Sequence, residues 1–98
     1  MRESEIEAKV NAAAVKAGFL QTKMGSLAQN GWPDRIYLYR TYAFFIEFKA
    51  PGEKPTPLQL HVQLMLIQAG FRVENVDNVE RGVDIIMRWK EYVDQELA

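Results

Sequence analysis

Two carboxylates and one ammonium group stand at the ends of apolar segments in the middle of the chain, where they could act together. Asp34 directly precedes the apolar run 35–39, while Glu47 and Lys49 lie at the end of the apolar run that starts at residue 42. In a β-strand, residues two apart point to the same face. Glu47 and Lys49 are therefore expected to project together, while the alternating apolar residues enter the core.

Such a set suits the hydrolysis of a phosphodiester bond. That reaction needs an activated water, stabilisation of charge on the phosphoryl oxygens, and help for the leaving oxygen, and a divalent cation held by carboxylates can serve all three needs. Mg²⁺ prefers oxygen ligands and keeps several waters, so two or three carboxylates suffice. On the alternative interpretation, Glu47 and Lys49 form a solvated strand face and Asp34 is a turn residue after Pro33.

The elements that must position these residues follow from periodicity and from helix and turn signals. Apolar residues recur at helical spacing between Glu3 and Ala17, and Thr56-Pro57 is typical of a helix start, with Thr as the cap and Pro in the first turn. Residues 25–33 and 50–57 are predicted loops. The predicted strands are 19–24, 35–39, 42–48 and 71–76, and the predicted helices are 3–17, 58–69 and a last one from Asp77 or Asn78 to about Val93.

This order predicts an α/β fold. Two strands separated only by Arg40-Thr41 indicate an antiparallel hairpin, although that pair is not a favoured two-residue turn and a longer loop is possible. A helix between the third and fourth strands implies a crossover, hence a mixed four-stranded sheet flanked by helices in the order α-β-β-β-α-β-α. Residues 1–98 are expected to form one domain.

Composition narrows the function classes. The chain has 48% hydrophobic and 26% charged residues with a net charge of −1, which is ordinary for a globular protein. The absence of cysteine excludes disulfides and thiolate metal sites, and His61, the single histidine, makes a structural zinc site improbable. No apolar run approaches the about 20 residues of a membrane span, and the charged N-terminus does not resemble a signal peptide. A cytoplasmic location is expected.

A combination of short motifs along nearly the whole chain resembles the virus-type replication-repair nuclease (VRR-NUC) family, a branch of the PD-(D/E)XK superfamily. The pattern is G-x-P-D, then [IV]-E-x-K-x-P-G, then P-x-Q, and it is far more specific than any of its pieces. The matching segments are ESEIE at 3–7, GWPDRI at 31–36, FIEFKAPG at 45–52, PLQ at 57–59 and AGF at 69–71.

The resemblance implies a restriction-endonuclease-like fold and a role for each matching residue. Asp34 and Glu47 match the metal-binding carboxylates, with the backbone carbonyl of Phe48 as a further ligand to Mg²⁺ or Mn²⁺. Lys49 matches the lysine that positions the attacking water and stabilises developing charge. Gln59 matches a glutamine expected at the edge of the active site.

A glutamate of the first helix also belongs to the family pattern, and two residues could supply it. Glu3 stands three residues before Ile6 and so shares its inward face, and Glu7 borders the same stripe. We favour Glu3, although helix ends fray and a position so near the terminus makes ordering costly.

The resemblance further implies a DNA endonuclease selective for branched, Holliday-junction-like substrates, acting as a homodimer in a bacterial or phage-encoded setting. A nuclease-like module that binds DNA or a partner enzyme without cutting is the alternative. Four basic residues near the predicted site loops are candidate phosphate contacts: Arg2, Lys23, Arg35 and Lys54. The residues expected to supply the dimer interface are Tyr37, Tyr39, Tyr42, Leu64, Trp89 and Tyr92.

Overall fold

The computed structural model describes all 98 residues as three helices and four strands. The elements are helix α1 (Glu3–Lys16), strand β1 (Leu20–Lys23), strand β2 (Arg35–Tyr39), strand β3 (Tyr42–Phe48), helix α2 (Pro57–Gln68), strand β4 (Arg72–Val76) and helix α3 (Val79–Glu96). The order and type of these elements agree with the sequence prediction. Asn78, not Asp77, caps α3, because its side chain accepts a hydrogen bond from the Arg81 backbone N–H at 2.8 Å.

The four strands form one mixed sheet in the order β1-β2-β3-β4. The first three strands are antiparallel neighbours, whereas β4 runs parallel to β3 after the α2 crossover. Strands β2 and β3 both lie inside the sheet and pair on both edges, so their geometry is more constrained than that of the edge strands β1 and β4. The predicted mixed four-stranded α/β fold is therefore confirmed.

Helices α1 and α3 cover one face of the sheet and enclose the larger core. Ile6, Val10 and Ala14 recur every four residues on α1, and all three are fully buried. They pack with Phe44 and other residues of the strands, and with Ile86 from α3, in a cluster of 11 buried side chains. This face supplies most of the apolar burial that stabilises the fold.

Helix α2 alone covers the opposite face, and it does so incompletely. Phe45 from β3 packs with Val62 and Leu66 from α2 in a cluster of 3 buried side chains. Beyond the reach of α2, the cross-strand pair Leu20 and Leu38 stays exposed on this face. The two faces of the sheet therefore differ in how much apolar surface is removed from water.

Two local predictions need correction. The segment 25–33, predicted as plain loop, contains a 3-10 helix from Gly25 to Asn30. The hairpin between β2 and β3 is not longer than two residues, because Tyr39 pairs directly with Tyr42. Arg40 is one of the two turn residues, and its φ of 57° lies in the left-handed region that favours glycine.

Most aromatic residues expected at a dimer interface belong instead to the interior packing. Tyr37 is fully buried and stacks on Phe44 at 5.4 Å between ring centroids. Trp89 stacks on the same phenylalanine at 4.7 Å, and Tyr39 stacks on Phe19. Periodicity alone did not show that aromatic rings from β2 and α3 fill the same core as α1.

The 3-10 segment ends at Gly31, which lies in the left-handed region with a φ of 88° and touches the start of α2. A Cβ at this position would lie 2.8 Å from Leu58 Cγ and 3.0 Å from the Leu58 carbonyl oxygen. Only glycine satisfies both the backbone conformation and the close approach. Gly31 therefore sets how closely the loop before Asp34 sits on α2.

We expect Gly31→Ala to destabilise the protein by about 2–5 kcal/mol, since a left-handed alanine costs about 1–2 kcal/mol and overpacking about 1–3 kcal/mol more. Gly70→Ala is the matched control, because Gly70 has a φ of 100° but open space where an alanine Cβ would lie. Urea denaturation of both variants measures the difference. Equal losses of stability would show that the contact with Leu58 is readily relieved.

Candidate active site

Asp34, which directly precedes β2, lies beside Glu47 of β3. Arg35 pairs with Ile46 in the antiparallel register, so Asp34, one residue earlier, stands opposite Glu47. The Asp34 carboxylate is locked in place, because its Oδ2 accepts a hydrogen bond from the backbone N–H of Phe48 at 2.7 Å. The hairpin register thus brings together two acids that are 13 positions apart in the sequence.

Glu47 and Lys49 form an ion pair that is almost removed from solvent. Lys49 Nζ lies 3.3 Å from Glu47 Oε2, and the two side chains are 12% and 3% exposed. Both residues project to the α2 face, as does Phe45, while Phe44 and Phe48 enter the larger core. The predicted alternation along β3 is confirmed, and the interpretation of Glu47 as part of a solvated strand face is wrong.

The pKa values of the acids rise because they share a partly dehydrated space. Burial, followed by repulsion from Asp34, raises the pKa of Glu47 to about 7 against the opposing attraction of Lys49. Burial also raises the pKa of Asp34, even though the Phe48 N–H favours its ionised form. The site therefore holds more negative charge than Lys49 alone compensates.

The two candidate glutamates of α1, Glu3 and Glu7, differ in their electrostatic surroundings. Burial and then repulsion from Asp34 raise the pKa of Glu3, and Lys49 opposes that shift. Glu7 is instead engaged by Arg35, whose Nε donates to Glu7 Oε2 at 2.6 Å, with Lys23 Nζ at 3.8 Å. Because Glu7 already has a close cation, Glu3 is the freer of the two to turn towards the paired acids.

Gln59 lies in the first turn of α2 and stabilises the start of that helix. Its side-chain oxygen accepts from the Thr56 N–H at 2.9 Å, while its own N–H donates to the Thr56 hydroxyl at 3.2 Å. This reciprocal capping confirms Thr56-Pro57 as the helix start. It also gives the matching P-x-Q motif a structural role at the end of the loop that follows Lys49.

Sequence reasoning missed a pair of hydrogen-bonded amide side chains beside the acids. Gln63 on α2 and Asn75 on β4 exchange two hydrogen bonds, at 2.8 and 2.9 Å, and Gln63 is only 5% exposed. Asn75 is the in-register neighbour of Glu47 on the parallel strand. The pair fixes α2 to the sheet next to the site, and only its position one turn after Gln59 could have drawn attention to Gln63.

The candidate phosphate contacts differ in their availability. Arg2 and Lys54 are exposed, and the Lys23 side chain is 67% exposed, so these three can reach a ligand. The Arg35 side chain is only 13% exposed and is bonded to Glu7 and Gln21. Arg35 therefore supports α1 on the sheet, which makes it a poor candidate for holding phosphate.

The donor set fits a hard divalent cation. Asp34 and Glu47 offer carboxylate oxygens in a site with an excess of negative charge, and Mg²⁺ is commonly held by one or two carboxylates with water completing its shell. No three histidine, aspartate or glutamate side chains already converge as a complete ligand set. Glu3 would have to turn inward to join the other two acids.

Comparisons with known proteins identify related chains. No family model matches the chain. A protein described as "Putative nuclease p44", from Acyrthosiphon pisum secondary endosymbiont phage 1, is 38% identical over 79 residues, which are 80% of this chain and 85% of the relative. A solved VRR_NUC domain superposes with a TM-score of 0.76 at 25% identity, covering 88% of this chain and 94% of that one. The chain belongs to the VRR-NUC family. The VRR-NUC fold and a nuclease domain are thereby shown.

In this VRR-NUC chain, Glu47 lies near the carboxyl end of β3, and Asp34 directly precedes β2 beside it. None of its helices combines the length and apolarity needed to cross a membrane.

The raised pKa of Glu47 predicts that the metal-free protein loses stability as the pH rises. The pKa of Glu47 is about 7 in the folded protein and ordinarily 4.5, so the folded state binds this proton more tightly than the unfolded state does. The stability that follows is fully present below pH 4.5 and is lost as the pH rises through about 7. The loss is on the order of 2–3 kcal/mol. Asp34 and Glu3 shift in the same direction.

Thermal melts at pH 5 and pH 8, in chelator, measure this effect. Glu47→Gln should flatten the dependence, because the amide does not ionise, whereas Glu91→Gln, on an exposed side of α3, should melt as wild type does at both pH values. A wild-type protein that becomes more stable from pH 5 to pH 8 would contradict the assignment.

Proposed function

We propose that this protein is a Mg²⁺- or Mn²⁺-dependent endonuclease that hydrolyses phosphodiester bonds in DNA. The observation that carries the proposal is the buried Glu47 carboxylate, held beside Lys49 and opposite Asp34. Burying an ion pair with an additional like charge is costly unless a ligand compensates it, and such arrangements cluster at functional sites.

Each side chain then has a distinct task. Asp34 and Glu47, with the carbonyl of Phe48, would hold the cation, and Glu3 would complete the set. When bound, the cation supplies Lewis-acid stabilisation and an activated water. Lys49 places its ammonium where charge develops on the scissile phosphate. Gln59 keeps the start of α2 in place at the edge of the site.

We expect Lys49→Ala to lower the saturating cleavage rate by about 10²–10³-fold with little change in DNA affinity. Lys49 acts on charge that appears only in the transition state, whereas affinity is spread over many phosphate contacts. The matched control is Lys23→Ala, which removes an exposed lysine at the same end of the sheet and should weaken binding without changing the saturating rate.

Single-turnover nicking of supercoiled DNA, with parallel binding measurements, separates these effects. Cleavage should also stop in chelator and return with added Mg²⁺ or Mn²⁺. Normal cutting by Lys49→Ala at saturation would make Lys49 a docking residue. Tight DNA binding by wild type with no cleavage under any metal would instead favour the alternative of a non-cleaving module.

We further propose that the protein acts as a homodimer through the α2 face. Helix α2 contains no charged residue, yet five of its apolar side chains are about half exposed. We group four of these five with exposed apolar residues of β1, β2 and the end of the α2 crossover as the proposed contact surface, which we call the α2 surface: Leu20, Leu38, Leu60, Leu64, Met65, Ile67 and Phe71. Exposed apolar patches of this kind mark interfaces.

A second copy of the chain suits the α2 surface. In a two-fold contact the same surface patch meets itself, so a patch of one charge sign would repel itself, whereas this surface carries no charge. The surface also lies on the same sheet face as Glu47. A dimer would therefore hold two sites in a fixed relation, which fits a four-way junction with two equivalent cutting positions.

Leu64→Glu should convert the dimer to a monomer without unfolding it, since Leu64 is 54% exposed within one chain. Met87→Glu is the matched control, because Met87 is 48% exposed but lies on α3, across the sheet. Sedimentation at micromolar concentration measures the mass. Monomeric wild type that still resolves four-way junctions would contradict both the dimer and the symmetry argument for its substrate.

The proposed setting is the cytoplasm of a bacterium or of a phage-infected cell. Support comes from the relative in a phage and from the absence of cysteine in the chain.

A further inference from the structure

The segment between β1 and β2, residues 24–33, borders the candidate active site and carries no charge. It leads directly into Asp34, and the Met24 N–H donates to the Asp34 carbonyl oxygen at 2.9 Å. None of the roles assigned to the site uses this segment. Its composition is unusual for a surface beside a phosphodiester, where basic residues would be expected.

The base of the segment is firmly anchored. Met24 and Trp32 pack against the smaller core, and Trp32 stands edge-on to Phe45 at 6.3 Å. The Trp32 N–H donates to the Leu27 carbonyl oxygen at 3.2 Å, and Gly31 sits against Leu58 of α2. A surface segment anchored in this way can contact a ligand and keep its conformation.

The tip of the segment is the 3-10 helix Gly25–Asn30, and none of its residues is buried. Leu27 is 41% exposed, and Ser26, Gln29 and Asn30 are exposed around it. These side chains cannot neutralise phosphates. Leucine is, however, among the apolar residues that wedge between base steps, and asparagine and glutamine hydrogen-bond to base edges.

We propose that Leu27 is a wedge that enters the DNA next to the bond being cut, with Gln29 and Asn30 contacting the exposed base edges. The inference rests on the proposed function and adds the residue that selects the substrate. Unstacking a base step costs a few kcal/mol in continuous duplex and less where stacking is already interrupted. A wedge at this position therefore favours branched over continuous DNA.

The competing role for Leu27 is a contact within the dimer. Its location disfavours that role. On the sheet, the α2 surface begins at the paired Leu20 and Leu38, whereas Lys23 and Arg35 pair at the other end of the same strands, next to Asp34. Leu27 follows Lys23, so it extends from the end of the sheet that holds the acids.

The test uses four-way junctions and linear duplexes with 2-aminopurine beside the cleavage position. Binding is measured in the Glu47→Gln background, so that DNA stays intact, and cleavage is measured in the wild-type background. The protein with Leu27 is compared with three variants: Leu27→Ala, Leu27→Phe, which keeps a large apolar side chain, and Leu97→Ala. Leu97 is the matched control because it is 39% exposed at the end of α3.

The wedge predicts a rise in 2-aminopurine fluorescence when protein binds the junction. That rise should be lost in Leu27→Ala, kept in Leu27→Phe and unchanged in Leu97→Ala. The ratio of junction to duplex cleavage should fall about tenfold in Leu27→Ala, which corresponds to about 1.4 kcal/mol. The fall should come without a comparable loss of rate on continuous linear duplex.

Equal fluorescence and equal cleavage ratios for Leu27 and Leu27→Ala would overturn the wedge while leaving the nuclease proposal intact. A Leu27→Ala protein that sediments as a monomer while wild type sediments as a dimer would also overturn it, because Leu27 would then belong to the protein interface. If wild type cuts no DNA, the proposed function fails separately, and the fluorescence in the Glu47→Gln background still decides whether Leu27 enters the base stack.

Discussion

The Glu47 carboxylate, buried opposite Asp34 with Lys49 as its close cation, is the constraint on which the rest of the site depends. An ionised group in so dry a place is unfavourable, and the second acid makes it more so. One lysine offsets only part of that charge, which is why burial and repulsion together raise the pKa of Glu47 to about 7. A bound cation would therefore reduce the repulsion between these acids. Without it, the apolar packing of the rest of the fold must offset the unfavourable free energy of the site.

The sheet divides these tasks between its faces. On one face, α1 and α3 enclose 11 buried side chains, and close stacking of Trp89 on Phe44 extends that core. On the other, α2 covers only a small cluster, with the acids at one end of the strands and the exposed pair Leu20 and Leu38 at the other. Stability arises mainly on the first face, so that the second can expose apolar and charged groups for function.

Hydrogen bonds fix the position of each element that meets at the site. The Phe48 N–H fixes Asp34, the capped start of α2 fixes the loop after Lys49, and the Gln63–Asn75 pair joins α2 to β4 beside Glu47. These contacts are short-range and directional, so each restrains the orientation of its element. The site is therefore positioned largely before any ligand arrives, which is what electrostatic catalysis requires.

The sequence by itself determined the features that depend on near neighbours. Strand alternation put Glu47 and Lys49 on one face, the hairpin brought Asp34 beside them, and Thr56-Pro57 marked the start of α2. Only the tertiary structure decided the partners that are distant in the chain. Arg35 bonds Glu7 across 28 positions, and Tyr37 lies in the core and not at an interface. Periodicity states which residues are apolar, but which of them lose contact with water depends on how the helices cover each face of the sheet.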